Sequence, residues 1–351
     1  MLQWFGEWLV QEWGDGPYRL LSSRLVLASL GFGVATLATW WFLPRGARWL
    51  PCDRGREFAV GAELSRGKPT GAGAVFVPIY LACVVLFVPF SISYLEVCGC
   101  VLLAMLCGYL DDRAVTAWGN YRKALADVGI AFLTALAICQ WQPAELWLPI
   151  SKEVLVIGPG WYVTIATVLL WVSINATNCT DGVDGLSGSL LLLAFLYLGA
   201  ILYVVVGHKQ VASYLLLPHA DQGADWGIMA FTLMGTLLGY LWYNANPSQM
   251  LMGDAGSRAL GLLLGVFVLA TGNPLLIVIV AGVVLVNGAT GLLKVALLRF
   301  FNIGIFRSVR FPLHDHCRHK WGWSGSQVLL RFMILQAVLT PILIVLLIKV
   351  R

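Results

Sequence analysis

The segment NATNCTDGVDGLSG, residues 175–188, decides how this chain folds. One apolar run, Trp161 to Ile174, leads into it, and a second, Leu186 to Val206, leads away. Between them Asn178, Asp181 and Asp184 fall within seven positions, beside Gly182, Gly185 and Gly188. Bare carboxylates at the mouth of a hydrophobic segment are costly unless they are paired, hydrated or bound to a metal. The segment therefore reads as a functional junction between two membrane spans.

Composition extends that reading to the whole chain. Its 351 residues are 59% hydrophobic and 12% charged, where soluble domains carry about 25% charged residues. A mean hydropathy of +0.80 makes it an integral membrane protein. The net charge of +5 calls for a topological explanation, and no nucleic-acid partner is implied. The eight cysteines show no zinc-finger spacing. Cys83, Cys98, Cys100, Cys107 and Cys139 lie in apolar runs, where cysteine acts as a small hydrophobe, so no disulfide is inferred. The opening residues MLQWFGEWLVQEWGDG lack a basic region typical of a signal peptide. Residues 1–20 read instead as an interfacial helix with Trp4, Trp8 and Trp13 at headgroup level.

A spanning helix needs about 20 apolar residues. By that measure about ten spans are expected, near 22–43, 72–91, 93–110, 124–141, 161–176, 186–206, 226–243, 257–272, 275–298 and 328–349. The runs are continuous, not alternating as a lipid-facing barrel requires, so strands are not expected to dominate. The fold expected for residues 1–351 is one polytopic, all-α membrane unit. Basic residues concentrate in alternate loops: Arg45, Arg48, Arg54, Arg56, Arg66 and Lys68; then Arg113, Arg122 and Lys123; then Arg299, Arg307, Arg310, Arg318 and Lys320. The intervening loops hold only Lys152 and Lys209. The positive-inside rule puts loops 44–71, 111–123, 175–186, 244–257 and 299–327 in the cytoplasm. Loops 142–160, with a possible short hairpin, and 207–225 are then external, as are both termini.

The polar clusters share the cytoplasmic side, so one active site there is expected. Asp111 and Asp112 in GYLDDR repel each other and gain from a cation or metal, although such pairs are also common in solvated loops. In LMGDAGSRALG, residues 251–261, Asp254 stands among small residues where a helix begins: Gly253 and Gly256 allow close approach of the backbone to a ligand and the helix-start amides suit phosphate oxygens, while the Asp reads equally as a helix cap. LSRGKPTGAG, residues 64–73, offers Lys68 to a phosphate or simply to the positive-inside pattern; it lacks Walker A spacing. FPLHDHCRHKWGW, residues 311–323, sets His314, His316 and His319 among basic residues, suited to a polyphosphate or to anionic lipid. Carboxylates for a hard divalent cation, with basic groups for anionic oxygens, are the equipment of phosphoryl transfer.

GYLDDR, NATNCTDGVDGLSG, YNANPSQMLMGDAGS and PLHDHCRHKWGWS, in this order, resemble the motifs of the polyprenyl-phosphate N-acetylhexosamine-1-phosphate transferases. The resemblance covers nearly the whole chain. It implies ten helices with both termini outside, Mg²⁺ dependence and a homodimer in a bacterial inner membrane. It also implies a reaction: UDP-N-acetylmuramoyl-pentapeptide and undecaprenyl phosphate give lipid I and UMP. Carried over by motif position, Asp254 resembles the Mg²⁺ ligand, joined by Asp181, and Asp111 and Asp112 resemble the catalytic pair. Asn178, Asp181, Asp184 and Asn244 match the nucleotide and metal region. Lys68 and Lys123 match nucleotide and phosphate lysines, and His314 and His316 match the outer members of a three-histidine motif. Asp315 stands where that motif has its middle histidine. A lysine commonly found soon after the acidic pair is absent, with Arg113 and Arg122 as stand-ins, and Leu251 replaces an aromatic residue. Two alternatives are a related transferase using UDP-GlcNAc or another UDP-sugar, and a membrane transporter. Transporters place polar groups near mid-membrane and show internal repeats, whereas these carboxylates cluster at span ends.

Overall fold

The computed structural model describes residues 1–14, 16–55, 65–116, 118–149 and 153–349. Arg56 and Lys152, both counted above among the loop charges, lie outside the described residues.

The chain is predominantly helical. Its helices are α1 (Leu2–Trp13), α2 (Arg24–Gly46), α3 (Gly73–Phe87), α4 (Ile92–Arg113), α5 (Asn120–Cys139), α6 (Pro159–Thr180), α7 (Leu186–Ala200), α8 (Lys209–Tyr214), α9 (Gly223–Asn244), α10 (Gly253–Ala270), α11 (Leu276–Val280), α12 (Gly282–Val284), α13 (Thr290–Phe301), α14 (Leu313–Trp321) and α15 (Gly325–Lys349). Among the described residues, eight helices are long and apolar enough to cross a membrane. Two further segments read as spans fall short of that measure: α3 has 15 residues, and α5 carries Arg122, Lys123 and Asp127 in its first two turns. Large apolar side chains remain exposed along the outer helices, such as Leu25, Leu37 and Trp41 on α2 and Leu330, Ile334 and Val338 on α15. Outward apolar faces of this kind belong against lipid, and the protein is a multi-pass membrane protein.

The middle of the bundle is α10. Every residue from Gly253 to Leu269 is buried, as expected of a helix apolar on nearly all sides. It packs against α3, α4, α5, α6, α7 and α9. Its first turn meets the acidic clusters. Its far end meets a hairpin of β1 (Ala144–Trp147) and β2 (Val154–Ile157), paired antiparallel within the 142–160 loop. There Trp147 donates its indole N–H to Thr271 O at 2.7 Å and its backbone N–H to Gly272 O at 3.0 Å. Eighteen residues at about 1.5 Å each separate these two ends by roughly 27 Å. The start of α2 lies at the hairpin end, where Arg24 pairs with Asp225 at the start of α9 (3.0 Å). Helix α15 starts at the acidic end, where Ser326 receives a hydrogen bond from Asn246, and runs away from it.

Several boundaries differ from the sequence reading: the opening helix ends at Trp13, short of residue 20, and loop 207–225 contains α8. Helices α4 and α6 run on through Arg113 and Thr180, so Asp111, Asp112 and Asn178 lie on helical turns and not in loops. Loop 299–327 contains α14, which carries His314 and His316. Segment 275–298 is not one continuous helix: it breaks at Ala281 and passes through a π turn at Leu285–Ala289. Breaks at membrane depth persist when neighbours satisfy the freed backbone. Here Gln336 of α15 accepts the Val283 N–H (3.0 Å) and donates to Ile279 O (3.1 Å), and Thr340 donates to the same carbonyl (3.0 Å).

Candidate active site

The site forms where the end of α4 crosses the start of α10. Asp112 accepts the backbone N–H groups of Asp254 at 2.9 Å and of Ala255 at 3.0 Å, one on each carboxylate oxygen. A helix start presents unpaired N–H groups and partial positive charge, and Asp112 answers both from a neighbouring helix. The crossing requires glycine at two places. Gly253 has φ +69, a left-handed conformation that side chains disfavour. A methyl group at Gly108 would land on the backbone carbonyl of Asp254.

Beneath the crossing lies a ladder of charges. Lys123 on α5 reaches both Asp111 and Asp254, the latter at 3.1 Å. Arg258, one turn beyond Asp254, donates to Asp254 at 3.1 Å and to Asp127 at 2.8 Å, with Asp111 at 3.9 Å. Asp111 also accepts the Trp118 N–H at 2.8 Å. Of the proposed stand-ins, Arg122 stacks over Trp118 at 3.7 Å and Arg113 ends α4 as an exposed side chain; Lys123 is the nearer cation to Asp111, with Arg258 farther off.

The 175–188 segment joins from the other side. Asp184 accepts the Ser248 N–H (3.0 Å) and hydroxyl (2.8 Å), and Lys68 reaches Ser248 (3.0 Å) and Asp184 (3.9 Å). Asp181 ends α6, its N–H on the Asn178 carbonyl at 3.2 Å. Asn244, assigned above to the nucleotide region, is buried and bonded at both ends of its amide. It accepts the Gly185 N–H (2.9 Å) and donates to Met250 O (2.9 Å), tying the 181–186 loop to the 245–252 loop. His314 is buried with its imidazole against Gly182, so α14 also closes on this segment. Asn287, in the π turn, accepts the His314 N–H (2.8 Å) and donates to Thr180 (3.1 Å). His316 accepts the Arg310 N–H at 3.2 Å. Asp315, the departure from the histidine motif, sits 3.9 Å from His314.

All eleven residues singled out from the sequence thus belong to one connected end of the bundle. Four partners were missed: Asp127, Arg258, Ser248 and Asn287. Arg258 and Asp127 had a signal, each standing four residues after a site residue and hence on its helix face.

The donor chemistry fits a divalent cation. Around Arg258 and Lys123 stand four carboxylates, Asp111, Asp112, Asp127 and Asp254; when ionised they exceed the two cations by two charges. The Lys123 ammonium already bridges two carboxylates with the hard oxygens that magnesium prefers. Among the described residues no three Asp, Glu, His or Cys side chains form a metal cage. Magnesium commonly binds through one or two carboxylates plus substrate phosphates.

Residues 94–272, from α4 to the end of α10, match glycosyl transferase family 4. The chain belongs to this family of transferases. In particular it is 49% identical over 339 residues to the phospho-N-acetylmuramoyl-pentapeptide-transferase of Treponema pallidum, covering 96% of this chain and 93% of that protein. It is 27% identical to the enzyme of the same name from Helicobacter hepaticus over 98% of this chain and 99% of the relative. The Brachyspira hyodysenteriae enzyme is 35% identical over 61% of this chain and 55% of its own length. The family resemblance carried by the motifs is borne out.

Proposed function

We propose that the protein transfers phospho-N-acetylmuramoyl-pentapeptide from UDP to undecaprenyl phosphate, giving lipid I and UMP. The relatives' names support it. One observation carries it: Asp111, Asp112, Lys123 and Asp254 converge on the buried start of α10. That arrangement gathers negative charge for a cation and basic groups for phosphate at one end of the bundle.

In the proposed reaction an oxygen of the lipid phosphate attacks the sugar-bearing phosphorus in line. A phosphorus–oxygen bond forms there, and the bond to the bridging oxygen breaks, so that UMP departs with that oxygen. One of the pair Asp111 and Asp112 deprotonates or orients the acceptor phosphate. Lys123, the more accessible of the two buried-site cations, receives transferring phosphate oxygens, and Lys68 receives those of the nucleotide. Asn178, Asp181, Asp184 and Asn244 shape the nucleotide side, and His314 and His316 face the donor's outer groups. Asp254 and Asp181 would hold Mg²⁺, which supplies charge neutralisation for the diphosphate.

The same reading has ten spans, α3 and α5 included, with the basic loops and the site in the cytoplasm and both termini external, in a bacterial inner membrane. The working unit is a homodimer. Supplying purified protein and undecaprenyl phosphate with either the muramoyl-pentapeptide donor or UDP-GlcNAc tests the function. Lipid I with UMP release from the first donor alone is expected. Equal or faster transfer from UDP-GlcNAc overturns the substrate assignment.

A further inference from the structure

Helices α5 and α10 both start at the site and run away from it side by side. Each carries two charges four residues apart, on one face. Lys123 and Asp254 form an outer rung; Asp127 and Arg258 form an inner one. A contact along α10, from Arg258 to Asp254 one turn before it, joins the rungs at 3.1 Å. The two rungs differ in exposure. The Lys123 side chain is 28% exposed, whereas those of Arg258 and Asp127 are 2% and 4% exposed.

A buried ion pair is weak as a stabilising device, because desolvation offsets its attraction. This one is also imperfectly satisfied: among the described residues the Arg258 Nε has no hydrogen-bond partner. A guanidinium is nevertheless suited to a task an ammonium does poorly, since its planar fork holds two carboxylates at fixed angles. Here the fork spans α5 and α10 and fixes one oxygen of Asp254.

We infer that Arg258 and Asp127 are positioning residues: a fixed inner rung that aims Asp254 and sets the charge of a divalent-cation site, while Lys123 is the exchangeable outer partner. This rests on the transferase reading for its catalytic consequence, but the cation-binding consequence stands apart from it. Removing Arg258 deepens the local negative charge; removing the charge of Asp127 lessens it. The two changes should therefore move cation affinity in opposite directions. A pair that merely holds helices together would not.

The test is a titration of the full chain in detergent with Mn²⁺, read by paramagnetic resonance, alongside UMP release. Arg258→Met should bind Mn²⁺ at least roughly tenfold more tightly and Asp127→Asn at least roughly tenfold more weakly, both with reduced turnover. Arg258→Lys keeps the charge and should leave Mn²⁺ affinity within about threefold of the parent, yet lose at least roughly tenfold in kcat because the fork is gone. Shifts in the same direction, or none, in folded variants overturn the inference. Should Arg258→Met fail to fold, Asp127→Asn and Arg258→Lys decide: unchanged affinity and turnover in both overturns it. A parent protein that binds Mn²⁺ but forms no lipid product overturns the transferase reading and leaves the cation arm intact.

Discussion

Asp112, at the end of one helix, accepts the backbone N–H of Asp254, at the start of another, at 2.9 Å. The contact does two things. It seats the α10 terminus by a side chain from outside the helix, and it holds two carboxylates side by side despite their repulsion. Replacing Asp112 with Ala removes both acceptors. A stability loss of about 1–2 kcal/mol is expected, with UMP release reduced at least roughly a hundredfold. Asp112→Asn keeps one acceptor and should recover most of the stability but not the activity. Thermal unfolding in detergent and an assay of UMP separate the two effects.

Asp254 carries the strongest functional claim. Asp254→Asn retains size and some hydrogen bonding to Lys123 and Arg258, so the fold should persist while turnover disappears. UMP release near the parent rate would remove Asp254 from the cation site.

The crossing of α4 over α10 depends on Gly108. Its replacement by Ala drives a methyl group onto the Asp254 carbonyl. Overpacking of this kind costs about 1–3 kcal/mol, and here it also displaces the carboxylate below. A lowered melting temperature together with a fall in kcat is expected. An unchanged protein would mean that the helices cross less closely.

Asn287 links the π turn to α6 and to the histidine helix. Asn287→Ala removes the donor to the Thr180 hydroxyl and the acceptor of the His314 N–H inside the bundle, a loss of about 1–3 kcal/mol. If α14 meets the donor's outer groups, KM for the UDP donor should rise more than kcat falls. Steady-state kinetics over a range of donor concentrations reads that split.

Chelation offers a different check. Lys123 and Arg258 both pair with Asp254, so the bundle is expected to stay folded without a divalent ion. EDTA should abolish UMP release, magnesium should restore it, and helical content by circular dichroism should not change. Unfolding on chelation would point to a structural metal.

Much of this was legible in the chain itself. Long apolar runs can only be satisfied as helices in lipid, so the order of spans and the four polar clusters followed from residues in sequence. The candidate site residues were legible because charge is conspicuous against an apolar background. Asp127 and Arg258 were less so: each sits inside a helix, and their pairing with each other forms only when α5 and α10 pack side by side. The break in 275–298 was hidden because Gln336 and Thr340, which satisfy it, arrive from a distant helix. Asn244 looked like a ligand residue, yet its amide is bonded at both ends to backbone, a use no local pattern announces.

The segment 175–188 and its apolar neighbours determined a membrane-embedded helical protein with acidic residues gathered at span ends. The tertiary structure decided which carboxylate meets which cation: Asp112 on the α10 terminus, Lys123 on the accessible rung and Arg258 on the buried one. The physical reason is that hydrophobicity acts through each segment's own composition, whereas pairing of charges depends on distances of a few ångströms between helices far apart in sequence.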